Sequence, residues 1–224
     1  MRCEGATELI DRPIDSISEL AGSLRDIERA NRYLGGARPV IDAIARLGPS
    51  RVLDVGCGSA DIPRALVKAA RTAGRPIEIT CLDRSEAMLA IARDWCHADR
   101  GLRFVCAQGE SLPFADGSFD VTMCNLALHH FEPAPAVALL RELRRVARVT
   151  PLVCDLRRSA VGFAGAWIFG NLTTRNRLTR HDAPLSVRRA YTPDEALSLA
   201  REAGWQAPVA ERRPFFRMLL YDAR

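Results

Sequence analysis

Hydrophobic positions along the chain follow two different patterns. Short, continuously apolar runs are typical of strands covered on both faces of a sheet, whereas apolar residues three and four apart are typical of helices. Both patterns occur in turn across the middle of the sequence. The predicted strands are residues 51–55, 77–82, 102–107, 119–125 and 152–155, and the predicted helices among them are residues 60–73, 85–97 and 134–149.

Strands that alternate with helices predict βαβ units and a parallel sheet. The segments outside this repeat are two amphipathic helices within residues 14–47, an Arg-rich insertion at 156–192, a helix at 192–203, and two strand-like runs at 206–210 and 215–221. We therefore expect a single α/β domain over residues 1–224. It should hold a doubly wound, mostly parallel, seven-stranded sheet whose last strands form an antiparallel hairpin. Residues 1–48 are predicted to be a helical cap, and 156–192 a lid-like insertion.

Composition narrows the class of protein. The apolar fraction of 48% and the charged fraction of 26% are typical of a globular domain. The longest weakly polar run, residues 160–172, is shorter than the roughly 20 residues of a membrane span, and no secretory signal opens the sequence, so a cytoplasmic protein is expected. The net charge is +5, but only residues 175–189 cluster basic side chains, so no nucleic-acid partner is expected. The seven cysteines include no CxxC pair, and no metal site is expected.

A glycine-rich segment, DVGCGSAD at residues 54–61, follows the first strand and is the strongest candidate ligand site. Glycines suit tight turns and close ligand approach, and open α/β sheets bind ligands at the carboxyl ends of their strands. Asp61 replaces the third glycine of a dinucleotide fingerprint and would repel a pyrophosphate, which disfavours NAD and FAD. An acidic residue before the glycines suits a ligand that carries two positively charged groups, an amine and a sulfonium. Asp83, at the end of the second strand, is a candidate ribose acceptor, or simply a helix cap.

Four motifs in order carry a family resemblance: VLDVGCGSAD, LDRSEAMLAIAR, QGESLPFADGSFDVTMCNLALHHF and RELRRVAR. They resemble class I S-adenosylmethionine (SAM)-dependent methyltransferases of the ubiquinone/menaquinone-biosynthesis type. The resemblance covers about residues 50–155 and implies a Rossmann-like fold, SAM as cofactor and S-adenosylhomocysteine as product. The cofactor contacts that it and the loop predict are Asp54, Gly56, Cys57, Gly58, Asp83, Arg84, Gln108, Gly109, Asn125 and Leu126. Ala60 departs from the family pattern, which has glycine there, and Gln108 stands where aspartate is usual.

Methyl transfer to a hydroxyl requires a base, for which histidine is suited. His129 and His130 follow the fourth strand, and Asp155 ends the fifth, where it could orient an imidazole. The resemblance implies such a His–Asp pair, which some sugar and natural-product O-methyltransferases use. His181 is a second candidate base. The alternatives are a packing role for the His-His pair and an exposed turn at His181.

Acceptor-binding residues are expected in the segments around the pocket. The candidates are Tyr33, Phe163, Trp167, Arg180 and Tyr191. The alternative for Phe163 and Trp167 is a place on the core face of a helix, and for the arginine it is a solvated face. The stretch from Asp155 to Pro193 also resembles methyltransferases associated with bacterial type III polyketide synthases, which favours a polyketide-derived phenol, pyrone or quinone as acceptor.

Other hypotheses about the function of the chain stay open at this point. They are C- or N-methylation of a small metabolite, and a SAM-binding partner module without catalysis. An RNA or protein methyltransferase is disfavoured because the fourth strand ends in Asn-Leu-Ala-Leu rather than an Asn-Pro-Pro-Tyr-like motif. An NAD-dependent reductase is disfavoured by Asp61 and by the missing Tyr-x-x-x-Lys pair. The expected partner is a small-molecule acceptor, with a homodimer or a carrier-protein contact as further candidates.

Overall fold

A computed structural model describes residues 2–13 and 16–223. The helices are α1 (Ile17–Tyr33), α2 (Arg38–Leu47), α3 (Asp61–Thr72), α4 (Glu86–Trp95), α5 (Pro133–Val146), α6 (Ala160–Thr173), α7 (Arg177–Arg189) and α8 (Pro193–Glu202). The strands are β1 (Arg51–Val55), β2 (Glu78–Asp83), β3 (Leu102–Cys106), β4 (Phe119–Asn125), β5 (Ala147–Leu156), β6 (Pro208–Arg213) and β7 (Arg217–Asp222). Two 3₁₀ turns, Leu9–Asp11 and Leu128–His130, complete the described elements.

The seven strands form one sheet in the order β3-β2-β1-β4-β5-β7-β6. Strands β1 to β5 are parallel, and β7 runs antiparallel to both β5 and β6. The strand order reverses between β1 and β4, and open α/β sheets bind ligands at such a switch point. The predicted fold, a doubly wound sheet with an antiparallel C-terminal hairpin, is confirmed.

Alternating residues of each strand feed two apolar cores, because successive side chains of a strand point to opposite faces. Leu53 and Val153 pack in the core that contains the apolar faces of α5 and α8. Val52 and Ile79 pack in the core that contains those of α2, α3 and α4. The continuously apolar strands therefore reflect a sheet that is covered on both faces.

The helix predicted over residues 134–149 ends earlier than its apolar pattern suggested. Helix α5 stops at Val146, and β5 begins at the next residue. Ala147 pairs with Phe119 and Thr150 with Val121, across a register shift in β4. The strand pairing therefore takes up residues 147–149, which helical spacing alone assigned to the helix.

Helices α1, α6 and α7 lie outside the alternating repeat and pack on one another: α1 contacts α7 and α4, and α6 contacts α7. The two helices predicted within residues 14–47 are present, although residues 14 and 15 lie outside the described part of the chain, as do residues 1 and 224 of the predicted domain. Within the described residues, no helix is both long and apolar enough to cross a membrane. The lid-like role of residues 156–192 stays a prediction.

Candidate active site

A cavity of about 890 Å³ opens at the carboxyl ends of the parallel strands. Its floor is the loop after β1 together with the ends of β2 and β4, and its walls come from the N-terminal segment, α1, α6, α7 and the turn before β7. All ten predicted cofactor contacts line it. The motifs between residues 54 and 126 therefore converge on one ligand-sized space.

The loop after β1 depends on two glycines with left-handed backbone. Gly56 has φ +76° and Gly58 has φ +51°. A Cβ atom built on Gly56 would lie 2.7 Å from the Cβ of Ala127, so a side chain there would collide with the loop after β4. The backbone N–H groups of Gly56 and Cys57 both donate to the carbonyl of Leu82, which fixes the loop against β2. The glycines thus allow two strand ends to approach closely beneath the cavity.

Asp83 links this loop to the end of β2. One carboxylate oxygen accepts a hydrogen bond from the backbone N–H of Gly58 at 3.0 Å, and the other accepts from the backbone N–H of Ser85 at 2.9 Å. A carboxylate offers about four acceptor positions, so Asp83 keeps capacity for ribose hydroxyls while it holds the loop. Its two predicted roles, a local cap and a ribose acceptor, are compatible.

Asp54 and Asn125 form a buried polar pair over the switch point. The Asn125 amide donates to Asp54 Oδ1 at 3.0 Å, while Asn125 Oδ1 has no hydrogen-bond partner among the described residues. Burial raises the pKa of Asp54 well above its usual value against the opposing effect of the Asn125 bond, and Asp61 and Asp83 raise it further. A ligand that brings an ammonium or sulfonium group would satisfy both the vacant oxygen and the acidic pocket. The residues present therefore fit SAM.

A histidine–aspartate pair stands on the other side of β4. His129 Nδ1 lies 2.6 Å from Asp155 Oδ1, and the backbone N–H of His129 donates to Asp155 Oδ2 at 2.9 Å. Burial opposes ionisation of Asp155, but His129 and two backbone N–H groups outweigh it, so the pKa of Asp155 is lowered. The carboxylate therefore holds the imidazole by Nδ1. The other ring nitrogen of His129, Nε2, lies 3.7 Å from Glu8 Oε1, and His129 and Glu8 both line the cavity.

His130 belongs to a second acidic network. Its Nδ1 lies 2.7 Å from Asp11 Oδ2, and its Nε2 lies 3.8 Å from Glu8 Oε2. Burial alone would lower the pKa of His130, but Glu8 and Asp11 together raise it to about 9. At neutral pH His130 is therefore a cation between two carboxylates, which makes it a poor base.

Comparison with known proteins bears on the same motifs. A family model described as a methyltransferase domain matches residues 52–150. The chain is 35% identical over 139 residues to a malonyl-[acyl-carrier protein] O-methyltransferase of Halorhodospira halophila, across 61% of this chain and 43% of that protein. It is 27% identical over 208 residues to a demethylmenaquinone methyltransferase of Thermotoga maritima, across 87% of each chain. It thus spans less than half the length of the first relative.

The solved structure of a SAM-dependent methyltransferase from Aquifex aeolicus has the same fold. It matches 93% of this chain and 98% of its own with a TM-score of 0.64, at 16% sequence identity. Over residues 52–150 the chain therefore matches a methyltransferase domain, and it is similar in sequence to class I SAM-dependent methyltransferases. SAM is its cofactor. Which residues contact SAM in this methyltransferase stays a prediction, supported by the convergence of all ten on the cavity.

The structure does not bring the five predicted acceptor-binding residues to this cavity. Tyr33 is 73% exposed, Arg180 donates to Asn171 on the surface, and Tyr191 is buried in the core with its hydroxyl donating to the carbonyl of Phe131. On α6, the residues that line the cavity are Gly162, Gly165, Ala166 and Phe169. Phe163 and Trp167 each follow a member of that stripe by one position, which turns them about 100° away around the helix. The alternative of a solvated face describes Arg180 correctly.

His181 also lies away from the cavity lining. Its exposed ring places Nδ1 2.7 Å from Asp182 Oδ1. Asp182 itself lines the cavity and accepts hydrogen bonds from the backbone N–H groups of Leu9 and Ile10. The polar residue of this predicted pair that reaches the cavity is therefore Asp182 rather than His181.

The residues that sequence reasoning missed come from the ends of the chain. Glu8 and Asp11 face the two histidines across more than 100 positions of sequence, and Arg217 enters the cavity from the last strand. No periodicity or motif marks these residues, because their contacts depend on how the N-terminal segment packs on α7 and on how β7 pairs with β5. Only the tertiary fold shows them.

One cluster in the cavity has the composition of a metal site. Glu8, His129 and His130 offer ligand atoms within 4.8 Å of one another. However, His130 is protonated at neutral pH because its pKa is raised, and Arg189 Nε lies 3.9 Å from Glu8 Oε1. The charge of Glu8 is thus balanced by neighbouring cations of the chain itself.

Proposed function

We propose that this methyltransferase transfers the methyl group of SAM to a hydroxyl of a small-molecule acceptor, with His129 as general base. The observation that carries the proposal is the 2.6 Å contact between His129 Nδ1 and Asp155 Oδ1 beside a cavity that also holds the glycine loop. A base oriented by a buried carboxylate has a use in O-methylation, because a hydroxyl must lose its proton as it attacks.

The chain's contribution is to position the reactants and to move one proton. Bound SAM supplies an electrophilic methyl group on its sulfonium. Asp83 and the Gly56–Gly58 backbone hold the nucleoside and amino-acid parts, and alignment of this kind is worth about 7–11 kcal/mol of barrier. His129 Nε2 would take the acceptor's hydroxyl proton as the acceptor oxygen bonds to the methyl carbon, while the bond from that carbon to the sulfonium breaks and S-adenosylhomocysteine leaves with the sulfur electron pair. Asp155 stabilises the imidazolium that results, since its carboxylate stays ionised beside it.

A polyketide-derived phenol, pyrone or quinone is the acceptor class that we propose. The resemblance of residues 155–193 to methyltransferases associated with type III polyketide synthases supports it, and so do the aromatic rings of Phe169, Phe215 and Phe216 on the cavity wall. The name of the Thermotoga maritima relative specifies demethylmenaquinone, a quinone-type acceptor. The name of the Halorhodospira halophila relative specifies an acid carried on a carrier protein, so a carrier-protein contact stays a second candidate. A cytoplasmic location and a homodimer stay predictions from the sequence.

The test combines cofactor binding with methyl transfer. Calorimetry with S-adenosylhomocysteine comes first, and no binding at millimolar ligand would overturn the enzyme proposal. Transfer of a labelled methyl group from SAM to a panel of polyketide phenols then compares the wild type with His129→Gln. We expect a loss of turnover of about 100- to 10,000-fold, with S-adenosylhomocysteine affinity changed by less than about threefold.

Two controls separate a base from a structural residue. His97→Gln changes an exposed histidine at the end of α4 and should leave turnover unchanged. A 2,4-dinitrophenol acceptor, which is already ionised at neutral pH, needs no base, so the defect of His129→Gln should shrink with it. An equal defect with both acceptors, or unaltered turnover, would contradict general-base catalysis by His129.

A further inference from the structure

Arg217, the first residue of β7, carries a buried charge that the fold does not pair. The residue is 4% exposed and lines the cavity. The one hydrogen bond its side chain makes among the described residues is a long one, from Nη2 to Asn31 Oδ1 at 3.3 Å. Its Nε and Nη1 have no partner there. A residue that lines the cavity thus keeps two buried guanidinium donors without a hydrogen-bond partner among the described residues.

The acidic groups near Arg217 do not form an ion pair with its guanidinium. Asp155 and Asp61 are both within electrostatic range, but neither forms an ion pair with the guanidinium. Asp155 bonds to His129, and Asp61 Oδ2 accepts the Asn31 amide at 3.0 Å. Burial lowers the pKa of Arg217, which indicates that its charge is poorly compensated. A buried charge without a partner costs stability, so such groups are kept where a ligand completes them.

The surrounding backbone is shaped to admit the guanidinium. A Cβ atom on Gly36 would lie 2.6 Å from Arg217 Nη2, so a side chain there would displace the guanidinium from its present position. The turn before Arg217 places Phe215 and Phe216 in left-handed conformations, at φ +55° and +57°, and both residues line the cavity. Aromatic residues rarely adopt such a φ, and strain of this kind concentrates at ligand sites. Three separate features therefore point to the same place.

We propose that the Arg217 guanidinium binds a carboxylate of a ligand held in this cavity. Arginine is the side chain best matched to a planar carboxylate, and pairing would satisfy the vacant donors. Two ligands of a methyltransferase could bring this group: the amino-acid end of the cofactor and an acidic acceptor. The proposal rests on the proposed function only in taking the cavity to hold these ligands.

The first arm of the test removes the carboxylate from each side of the contact. S-adenosylhomocysteine is compared with its decarboxylated analogue, which keeps the nucleoside, the thioether and the amine. Calorimetry measures both ligands on the wild type, on Arg217→Met and on Arg217→Lys. If the cofactor supplies the carboxylate, the wild type should prefer S-adenosylhomocysteine by about 10- to 100-fold, and Arg217→Met should lose this preference. Arg217→Lys should keep part of it, because it retains the charge without the planar donors.

The second arm tests the acceptor as the source. Salicylate, a phenol with a carboxylate, is titrated into protein saturated with S-adenosylhomocysteine. Salicylate binding by the wild type that weakens by about 10-fold or more in Arg217→Met would assign the carboxylate to the acceptor. The matched control is Arg212→Met, the same change at an exposed position of the same hairpin, which should behave as the wild type in both arms.

Stability separates a ligand role from a structural one. Without ligand, Arg217→Met should melt at the same temperature as the wild type or higher, because it removes an uncompensated charge. A clear loss of stability together with unchanged affinity for both ligands would overturn the proposal, as would variants that bind both as the wild type does. If Arg217→Met does not fold, Arg217→Lys carries the same comparison. Absence of S-adenosylhomocysteine binding by the wild type would instead count against the proposed function.

Discussion

Gly56 and Gly74 have nearly the same backbone conformation in different surroundings. Their φ values are +76° and +69°, but a Cβ atom on Gly56 would meet Ala127 at 2.7 Å, whereas one on Gly74 would meet nothing within 4 Å. A substitution at Gly74 therefore carries only the conformational cost of a left-handed residue. At Gly56 it also displaces the cavity floor.

We expect Gly56→Ala to weaken S-adenosylhomocysteine binding by more than about 10-fold and to destabilise the protein by more than the roughly 1–2 kcal/mol of the left-handed backbone alone. Gly74→Ala should show only that cost and keep its affinity. Urea unfolding measures the free energy of unfolding, and calorimetry measures the affinity. Equal affinities in the two variants would show that the close packing at Gly56 is not needed for the cofactor.

Ala60 shows what the sequence could predict at single positions. It departs from the glycine of the family pattern, yet it adopts the left-handed conformation, at φ +57° and ψ +28°, that glycine would favour. The motif therefore predicted the loop's shape even where one residue breaks the pattern. Asp54, Asp83 and Asn125 were predicted in the same way, because strand ends with fixed spacing determine where their side chains lie.

The 3₁₀ turn Leu9–Asp11 brings acidic side chains to the histidine pair. Asp182 on α7 holds this turn by accepting the backbone N–H groups of Leu9 and Ile10, at 2.8 Å and 3.0 Å. Asp11 then contacts His130, and Glu8, one residue before the turn, faces both histidines. The position of the turn therefore sets the charge around the proposed base.

We expect Asp182→Ala to release the turn and lower turnover by about 10-fold or more, at a cost of roughly 1–3 kcal/mol for the donors left unpaired. Hydrogen exchange of residues 8–12 should become faster. His181→Ala is the control, because it removes an exposed ring that touches the same carboxylate. Unchanged exchange in Asp182→Ala would contradict the anchoring role, and lost turnover in His181→Ala would revive that residue as a base.

Element boundaries and faces were less predictable than element order. The βαβ order, the strands Arg51–Val55 and Phe119–Asn125, and the final hairpin followed from apolar periodicity. On α6, however, almost the whole helix is apolar, so periodicity could not choose its cavity face, and the bulkiest aromatic, Trp167, is 53% exposed instead. A pattern identifies a face only where polar residues mark the opposite one.

The cavity has two halves: a proposed cofactor side, which the sequence predicts, and a proposed acceptor side, which it does not. The cofactor half is built by consecutive strand ends, whose positions follow from the parallel sheet. The other half joins the N-terminal segment to β4, β5, α7 and β7, through contacts such as Arg2 to Glu132 and Glu8 to Ser186. Such long-range contacts leave no local pattern, which is why the proposed acceptor side needed the structure.

The contacts of the N-terminal residues Glu8 and Asp11 with His130 predict that the stability of the whole molecule depends on pH. His130 has a pKa of about 9 in the folded protein, raised by Glu8 and Asp11 against burial, compared with 6.5 as the ordinary value. Below about pH 6.5 both the folded and the unfolded chain carry the proton, so its full stabilising contribution is present. Between about pH 6.5 and about pH 9 only the folded chain holds the proton, and the stabilising contribution is lost as the pH rises through this range.

We expect His130→Gln to remove this loss. Urea unfolding at about pH 6 and about pH 9.5 should show the wild type losing roughly 1–3 kcal/mol more than the variant, a range reduced because the His130 side chain is 21% exposed. His97→Gln, at an exposed position, should keep the wild-type dependence. The comparison also tests the link between chain ends, since the shift exists only while Glu8 and Asp11 stay beside His130. Identical pH dependence in the wild type and His130→Gln would mean that the N-terminal segment does not hold its acidic side chains there in solution.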